Sequence, residues 1–240
     1  KENGSLWSFG RNDYGQIGDG TTTDRDDPIE SVSSEVVAAA ASGSHSLFIK
    51  TDGSLWAMGR NQYGQLGDGT TEDQHSPVKV VDAGVVAAAA STGHTLFLKE
   101  DGSLWAMGRN HKGQLGDGTT QSQHLPVKVV DSGVIVMAAG MGSSGQVESL
   151  MVKTDGSLWS VGSNEYGQLG DGTLENRTTW TKVVDTGVHG VAASGNSVFV
   201  FVEPNAAPTE IALDKIFVME NQAAGTIVGN LVVTDPNQND

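Results

Sequence analysis

A nineteen-residue stretch written four times restricts this chain to a repeat architecture. Residues 52–70 read DGSLWAMGRNQYGQLGDGT, residues 101–119 read DGSLWAMGRNHKGQLGDGT, residues 155–173 read DGSLWSVGSNEYGQLGDGT and residues 3–21 read NGSLWSFGRNDYGQIGDGT. Trp7, Trp56, Trp105 and Trp159 mark the period, with steps of 49, 49 and 54 residues. A period of about 20 to 50 residues belongs to propellers, solenoids and arrays, in which each unit buries its faces only against its neighbours.

Each unit reads as four short strands. Asp-Gly between apolar runs, at 52–53, 101–102 and 155–156, predicts a hairpin between the second and third strands with a type I′ turn, positive in φ at both central residues. In the third strand Leu55, Ala57 and Gly59 alternate with Trp56 and Met58, and two apolar faces predict a strand buried between neighbouring sheets. Ahead of each hairpin lies a run of small residues: VVAAAA at 36–41 and 85–90, VIVMAA at 134–139, VHGVAA at 188–193. Alanine favours helix, but six residues closed by Ser or Gly are too few for an isolated helix. They are read as first strands, placed innermost where converging blades leave least room. Pro28, Pro77 and Pro126 open the outer fourth strand, where a missing N–H is tolerated. Trp180 replaces them in the last copy and is expected, on that outer edge, to matter less than Trp56 or Trp105.

First-plus-second strand pairs begin near Val36, Val85, Val134 and Val188, and third-plus-fourth pairs near Ser5, Ser54, Ser103 and Ser157. The phase therefore predicts an all-β partial propeller of four blade equivalents, three whole blades and two half blades. An open arc is preferred, although the two halves could pair and close a ring by strand exchange.

Three groups of residues could carry chemistry. The GDGT loops place Asp19, Asp68, Asp117 and Asp171 among glycines. A phosphate cradle there would need a Lys and a following helix, and a calcium loop several oxygens in series, so a structural turn is expected. His45, His94, Glu148 and Asn196 share one repeat position; they could ring a metal, or each fix a local turn by a hydrogen bond. The longer step holds five extra residues within Met141, Gly142, Ser143, Ser144, Gly145, Gln146, Val147 and Glu148, a candidate binding loop or simple surface drift. No nucleophile–base pair recurs, which argues against an enzyme. Lys and Arg number 14 against 29 Asp and Glu, a net charge of −15, which would repel a phosphate backbone and excludes nucleic acid as a partner. There is no Cys and no apolar run long enough to cross a membrane as a helix. The N-terminus, with neither initiator Met nor apolar signal region, reads as a cut from something longer.

The order H-[ST]-L-F-[IL]-K, D-G-S-L-W, G-R-N-x-x-G-Q-L-G, P-V-x-V resembles the repeat of the regulator-of-chromosome-condensation family over residues 1–202. The resemblance implies a β-propeller, seven-bladed in that family, and a choice among guanine-nucleotide exchange on a small GTPase, chromatin binding, β-lactamase inhibition and protein-binding platforms.

The repeat stops at Val202. Residues 203–208 (EPNAAP) read as a linker, and residues 209–240 carry M-E-N-x-x-x-G-T-x-V-G and V-T-D-P-N, which resemble the first part of a cadherin-like repeat, a truncated β-sandwich-like segment. That resemblance implies calcium ligands at Glu220, Asp235 and Asn237, with Asp240 a fourth, an incomplete site for an ion that takes about 6 to 8 oxygens. No other cofactor is expected. Together the two resemblances suggest a non-enzymatic protein-binding or adhesion module of a larger extracellular or cell-surface protein, its protein ligand unspecified. The alternatives are an exchange factor or chromatin-associated propeller, and a secreted enzyme inhibitor.

Overall fold

The computed structural model describes residues 4–140, 142, 147–194, 197–202, 210–213 and 231–234, all strand, turn or loop and none of it helix. Two compact units, Lys1–Phe201 and Val202–Asp240, divide the chain. The first opens with a two-stranded sheet, β1 (Leu6–Gly10) and β2 (Arg25–Val32). One four-stranded sheet follows, from β3 (Val36–Ala41), β4 (His45–Lys50), β5 (Leu55–Gly59) and β6 (Gln74–Val81). A second comprises β7 (Val85–Ala90), β8 (His94–Lys99), β9 (Leu104–Gly108) and β10 (Gln123–Val130). The third comprises β11 (Val134–Ala139), β12 (Glu148–Lys153), β13 (Leu158–Gly162) and β14 (Arg177–Val184), and β15 (Val188–Ala193) with β16 (Val198–Val202) ends the unit as a two-stranded sheet. In the second unit β17 (Glu210–Leu213) pairs antiparallel with β18 (Leu231–Thr234).

The alanine runs are strands, and they sit innermost. β3 touches β7, β7 touches β11 and β11 touches β15, so the first strands of successive sheets converge where only small side chains fit. Further out, the cores lie between sheets rather than within them. Leu47, Ile49 and Leu55 of one blade pack with Phe97 and Met107 of the next, and Leu96, Leu98 and Leu104 pack with Val134 and Met151. Each sheet is thus stabilised by its neighbours, as a repeat array requires.

The DGSLW motif has a physical reading at each letter. Gly53 N donates to Lys50 O at 2.9 Å, and Gly53 adopts φ +74° while Asp52 does not enter positive φ. The expected type I′ turn is therefore replaced by a three-residue loop whose last residue alone needs the left-handed region, which frees Asp52 to keep ordinary backbone angles. The Asp52 carboxylate accepts from Ser54 N at 2.9 Å and Ser54 Oγ at 2.6 Å, and Ser54 Oγ accepts the indole N–H of Trp56 at 2.9 Å. The same relay recurs at Asp101, Ser103 and Trp105 and at Asp155, Ser157 and Trp159. The hairpin also ties sheets together: Gly53 O accepts from Val85 N at 2.9 Å, Gly102 O from Val134 N at 3.0 Å and Gly156 O from Val188 N at 2.9 Å.

The GRN and GDGT segments form one loop with a buried asparagine at its hub. Asn110 Oδ1 accepts from Leu115 N at 3.0 Å, while its amide donates to Asp117 Oδ1 at 2.9 Å and Thr119 O at 3.1 Å. Asn61 and Asn164 repeat the pattern. Asn110→Ala leaves several buried groups without partners, each costing about 1 to 3 kcal/mol, so a loss of about 3 kcal/mol is expected in urea unfolding. A loss below about 1 kcal/mol would show the loop held by its turns alone.

Trp180 departs from its expected role. It packs against the core between the second and third blades and lies over Gly116, where a Cβ would have no room beside the indole. It fills a seam between blades instead of decorating an outer edge. Trp180→Ala is expected to cost about as much as Trp105→Ala, roughly 3 kcal/mol each, and parallel urea melts compare them directly.

Candidate functional site

Imidazoles join the three whole blades at two successive seams. His45 opens β4 and His94 opens β8, and both are wholly buried. His45 Nε2 meets Thr95 Oγ1 of the next blade at 2.9 Å, and Thr95 Oγ1 donates to Gln65 O at 2.8 Å. Because the threonine proton is committed to that carbonyl, His45 must be the donor at Nε2, leaving Nδ1 to accept from Ser42 Oγ at 3.0 Å. The next seam repeats the device: His94 Nε2 meets Ser149 Oγ at 2.9 Å, and Ser149 Oγ donates to Gln114 O at 2.7 Å. Burial pushes the His45 imidazole down to about 4 and, with a smaller contribution from the His45 charge, His94 to about 3. Both are neutral seam residues whose N–H protons are already engaged, unsuited to take a substrate proton.

The third seam breaks the pattern. Glu148 replaces histidine and is also wholly buried. Neither carboxyl oxygen has a hydrogen-bond partner among the described residues. Gly140 stands where the earlier copies have Ser42 and Ser91, and a Cβ there would collide with the Glu148 carboxyl. Serine-to-glycine and histidine-to-glutamate thus go together sterically. Ser91, the previous serine, donates to Gly140 O at 2.5 Å rather than to His94, and His94 Nδ1 is left without a partner among the described residues. Burial raises the Glu148 carboxyl to about 8.

These groups do not assemble a metal site. Among the described residues no three His, Asp or Glu side chains converge; Asn196 lies outside those residues. The two histidines bridge blades: besides the local contact of His45 with Ser42, each reaches a partner about fifty residues away, which a local-turn reading does not anticipate. Gly142, Val147 and Glu148 of the inserted stretch are buried, so any contact it makes falls to Met141, Ser143, Ser144, Gly145 and Gln146, outside the described residues. The GDGT carboxylates are already engaged: Asp171 accepts from Thr173 N, Thr173 Oγ1 and Arg177 Nε at 3.0, 2.8 and 2.7 Å. Burial alone would raise the Asp171 carboxyl, but the Thr173 and Arg177 bonds outweigh it and hold it at about 2. Glu220, Asp235, Asn237 and Asp240 lie outside the described residues.

A second set of contacts crosses the seams. The Arg60 guanidinium lies 4.7 Å from the centre of the Tyr14 ring and Arg109 lies 4.9 Å from that of Tyr63. At the seam that His94 crosses, between the second and third whole blades, Lys112 pairs with Glu165 at 2.5 Å, so a cation–π contact gives way to an ion pair.

The regulator of chromosome condensation (RCC1) repeat matches residues 3–49, 52–98, 101–145 and 155–201, and a second description of that repeat matches 36–65 and 85–114. No curated protein matches the chain. Among solved structures, human WBSCR16 aligns at 22% identity and TM-score 0.71, over 84% of this chain and 54% of its own. Prp20p from Saccharomyces cerevisiae, described with its binding to Gsp1p and histones, aligns at 22% identity and TM-score 0.69, over 80% and 50%. Yeast RCC1 (Prp20) bound to Kap60 aligns equally well, over 80% and 48%. The chain spans about half the length of these proteins, and at that identity they share its fold alone.

Two expectations change here. The family matches end at residue 201 and nothing in the comparisons supports a cadherin-like repeat, so the calcium and adhesion readings that rested on it lose their basis. The extracellular or cell-surface location is withdrawn: it rested on the cadherin-like resemblance, and the solved structures that share this fold, one described with Gsp1p and histones and one with Kap60, give it no support. With four consecutive matches covering most of its length, and three whole sheets built on them, this chain belongs to the regulator of chromosome condensation (RCC1) repeat family.

Proposed function

We propose that the chain is a non-catalytic, protein-binding propeller of the chromatin-associated kind, and that it docks a basic protein. The observation that carries this reading is the pairing of a repeat array whose titratable seam groups are buried or bonded internally with a net charge of −15. What remains to act is surface, and an acidic surface attracts basic partners while rejecting a bare phosphate backbone. Histones, named among the partners of Prp20p, have that chemistry.

A second reading, nucleotide exchange on a small GTPase, is favoured by Gsp1p, named beside histones for Prp20p. One experiment separates them. The purified chain is titrated with core histones by fluorescence anisotropy at low and moderate salt, and with a small GTPase carrying fluorescent GDP. Salt-sensitive histone binding without faster GDP release is the expected result. Accelerated release would replace the first reading by the second, and no binding in either arm would sink both.

A further inference from the structure

The three whole blades each turn one large aliphatic residue out of the innermost strand. Where β3, β7 and β11 pair with their second strands, the ladder skips a residue: Val36 faces Lys50 and Ala38 faces Ile49, Val85 faces Lys99 and Ala87 faces Leu98, and Val134 faces Lys153 and Val136 faces Val152. The residues passed over are Val37, Val86 and Ile135. A β-bulge re-aims the side chain it carries, and here it leaves them 61%, 49% and 47% exposed. In β3 and β7 the four residues that follow are all alanine, as converging strands demand, so the core does not call for a branched side chain at the bulge. Val86 and Ile135 belong to sheets flanked by a described sheet on either side. Their exposure owes nothing to the ends of the array.

Carboxylates stand between these aliphatics. Because Gly53 O accepts from Val85 N and Gly102 O from Val134 N, the hairpin tip of each blade borders the inner strand of the next, which puts Asp52 beside Val86 and Asp101 beside Ile135. Both aspartates are exposed. Each accepts from its serine, Ser54 or Ser103, through Oδ1, and those bonds hold both carboxyls below the ordinary value and therefore ionised. The lysines nearby are engaged: Lys99 lies over the Trp105 ring at 4.9 Å and Lys128 pairs with Asp131 at 2.7 Å, and the first whole blade repeats both contacts. The rim reads aliphatic, carboxylate, aliphatic, carboxylate, aliphatic.

We propose that this rim docks an extended basic segment of a partner protein, with an aliphatic residue at every third position against Val37, Val86 and Ile135 and Lys or Arg between them against Asp52 and Asp101. The proposal rests on the docking of a basic protein inferred above and gives it a place. Packed sheets stand about 10 Å apart, and a polyproline-II chain returns the same face every three residues, about 9 Å along, so one side chain in three meets each blade. Opposite charge selects the partner, and covering the aliphatic row supplies apolar contact that carboxylates alone do not.

Two fluorescent peptides of one composition test the pattern by anisotropy: in the first, leucine recurs at every third position among lysines, and in the second the leucines are contiguous. The parent chain should bind the first about tenfold more tightly. Val86→Thr with Ile135→Thr should erase that preference. Asp52→Asn with Asp101→Asn, which keep an acceptor for each serine, should weaken the patterned peptide and flatten its salt dependence; urea melts matching the parent's show that these exposed substitutions leave the blades folded. Core histones titrated in parallel separate the two levels of inference. Histones that fail to bind the parent chain sink the broader reading, whereas peptides bound alike by the parent chain, or histone binding unmoved by both double variants, overturn the rim as the docking site.

Discussion

Gly108→Ala should be among the most damaging single-methyl additions to this chain, lowering stability by about 3 to 5 kcal/mol, while Gly84→Ala should cost only about 1 to 2 kcal/mol. Both glycines sit in the left-handed half of backbone space, at φ +100° and +80°, so both substitutions carry conformational strain. Only Gly108 adds a collision. Its Cβ would lie 2.5 Å from Gly93 O, 2.9 Å from His94 Cα and 3.0 Å from Gln65 Cα, whereas nothing lies within 4 Å at Gly84. Backbone on two sides cannot step aside as a flexible side chain does. The cause is visible at Gly10, the same repeat position in a half-blade without a second strand, where the Cβ meets nothing within 4 Å. Gly108 ends the third strand where the second strand and the preceding loop both press on it. Urea melts of the two variants measure the difference; equal losses would leave strain as the whole effect and the seam looser than its distances indicate.

How far the sequence carries can be argued from such positions. Repetition made the four-stranded unit legible, since DGSLW, the alanine runs and the GQLG loops each recur in phase and each maps onto one strand or turn. Contacts between copies were not legible. Thr95 reads as an ordinary strand residue until His45 and Gln65 are found on either side of it, because periodicity reports position within a unit and says nothing of what faces it across a seam. Trp180 was misread for the same reason: its place on the fourth strand was clear, but the Gly116 cleft that receives it belongs to another blade. The paired change of serine to glycine and histidine to glutamate at the third seam was present in the sequence as two isolated departures, at 140 and 148, and only their contact makes them one event. Cellular location was misread because it leaned on about thirty residues outside the repeat instead of on the repeat itself.

Glu148→Gln should raise stability at pH 8 and remove its decline above pH 6.5. A carboxyl held at about 8 in the folded chain against about 4.5 unfolded stays protonated in the fold while the unfolded chain ionises, so its contribution is most favourable below pH 4.5 and falls away as pH rises toward 8. The full difference is of the order of 5 kcal/mol, at about 1.4 kcal/mol for each pH unit. His45 and His94 act in the opposite direction: held neutral down to about 4 and 3 by burial, they cost stability as pH falls below about 6.5, where the unfolded imidazoles take up protons. Between pH 4.5 and 6.5 two histidines outweigh one glutamate, so stability rises with pH; above 6.5 only the glutamate is still titrating, so it falls. The parent chain should therefore be most stable near pH 6.5. Glutamine keeps the shape that Gly140 accommodates and removes the ionisation, leaving a plateau from about pH 6.5 upward. Chemical unfolding at closely spaced pH values tests both curves. A parent chain equally stable at pH 6.5 and 8 would mean that the Glu148 carboxylate ionises in the fold as easily as in water and is not sealed within the third seam.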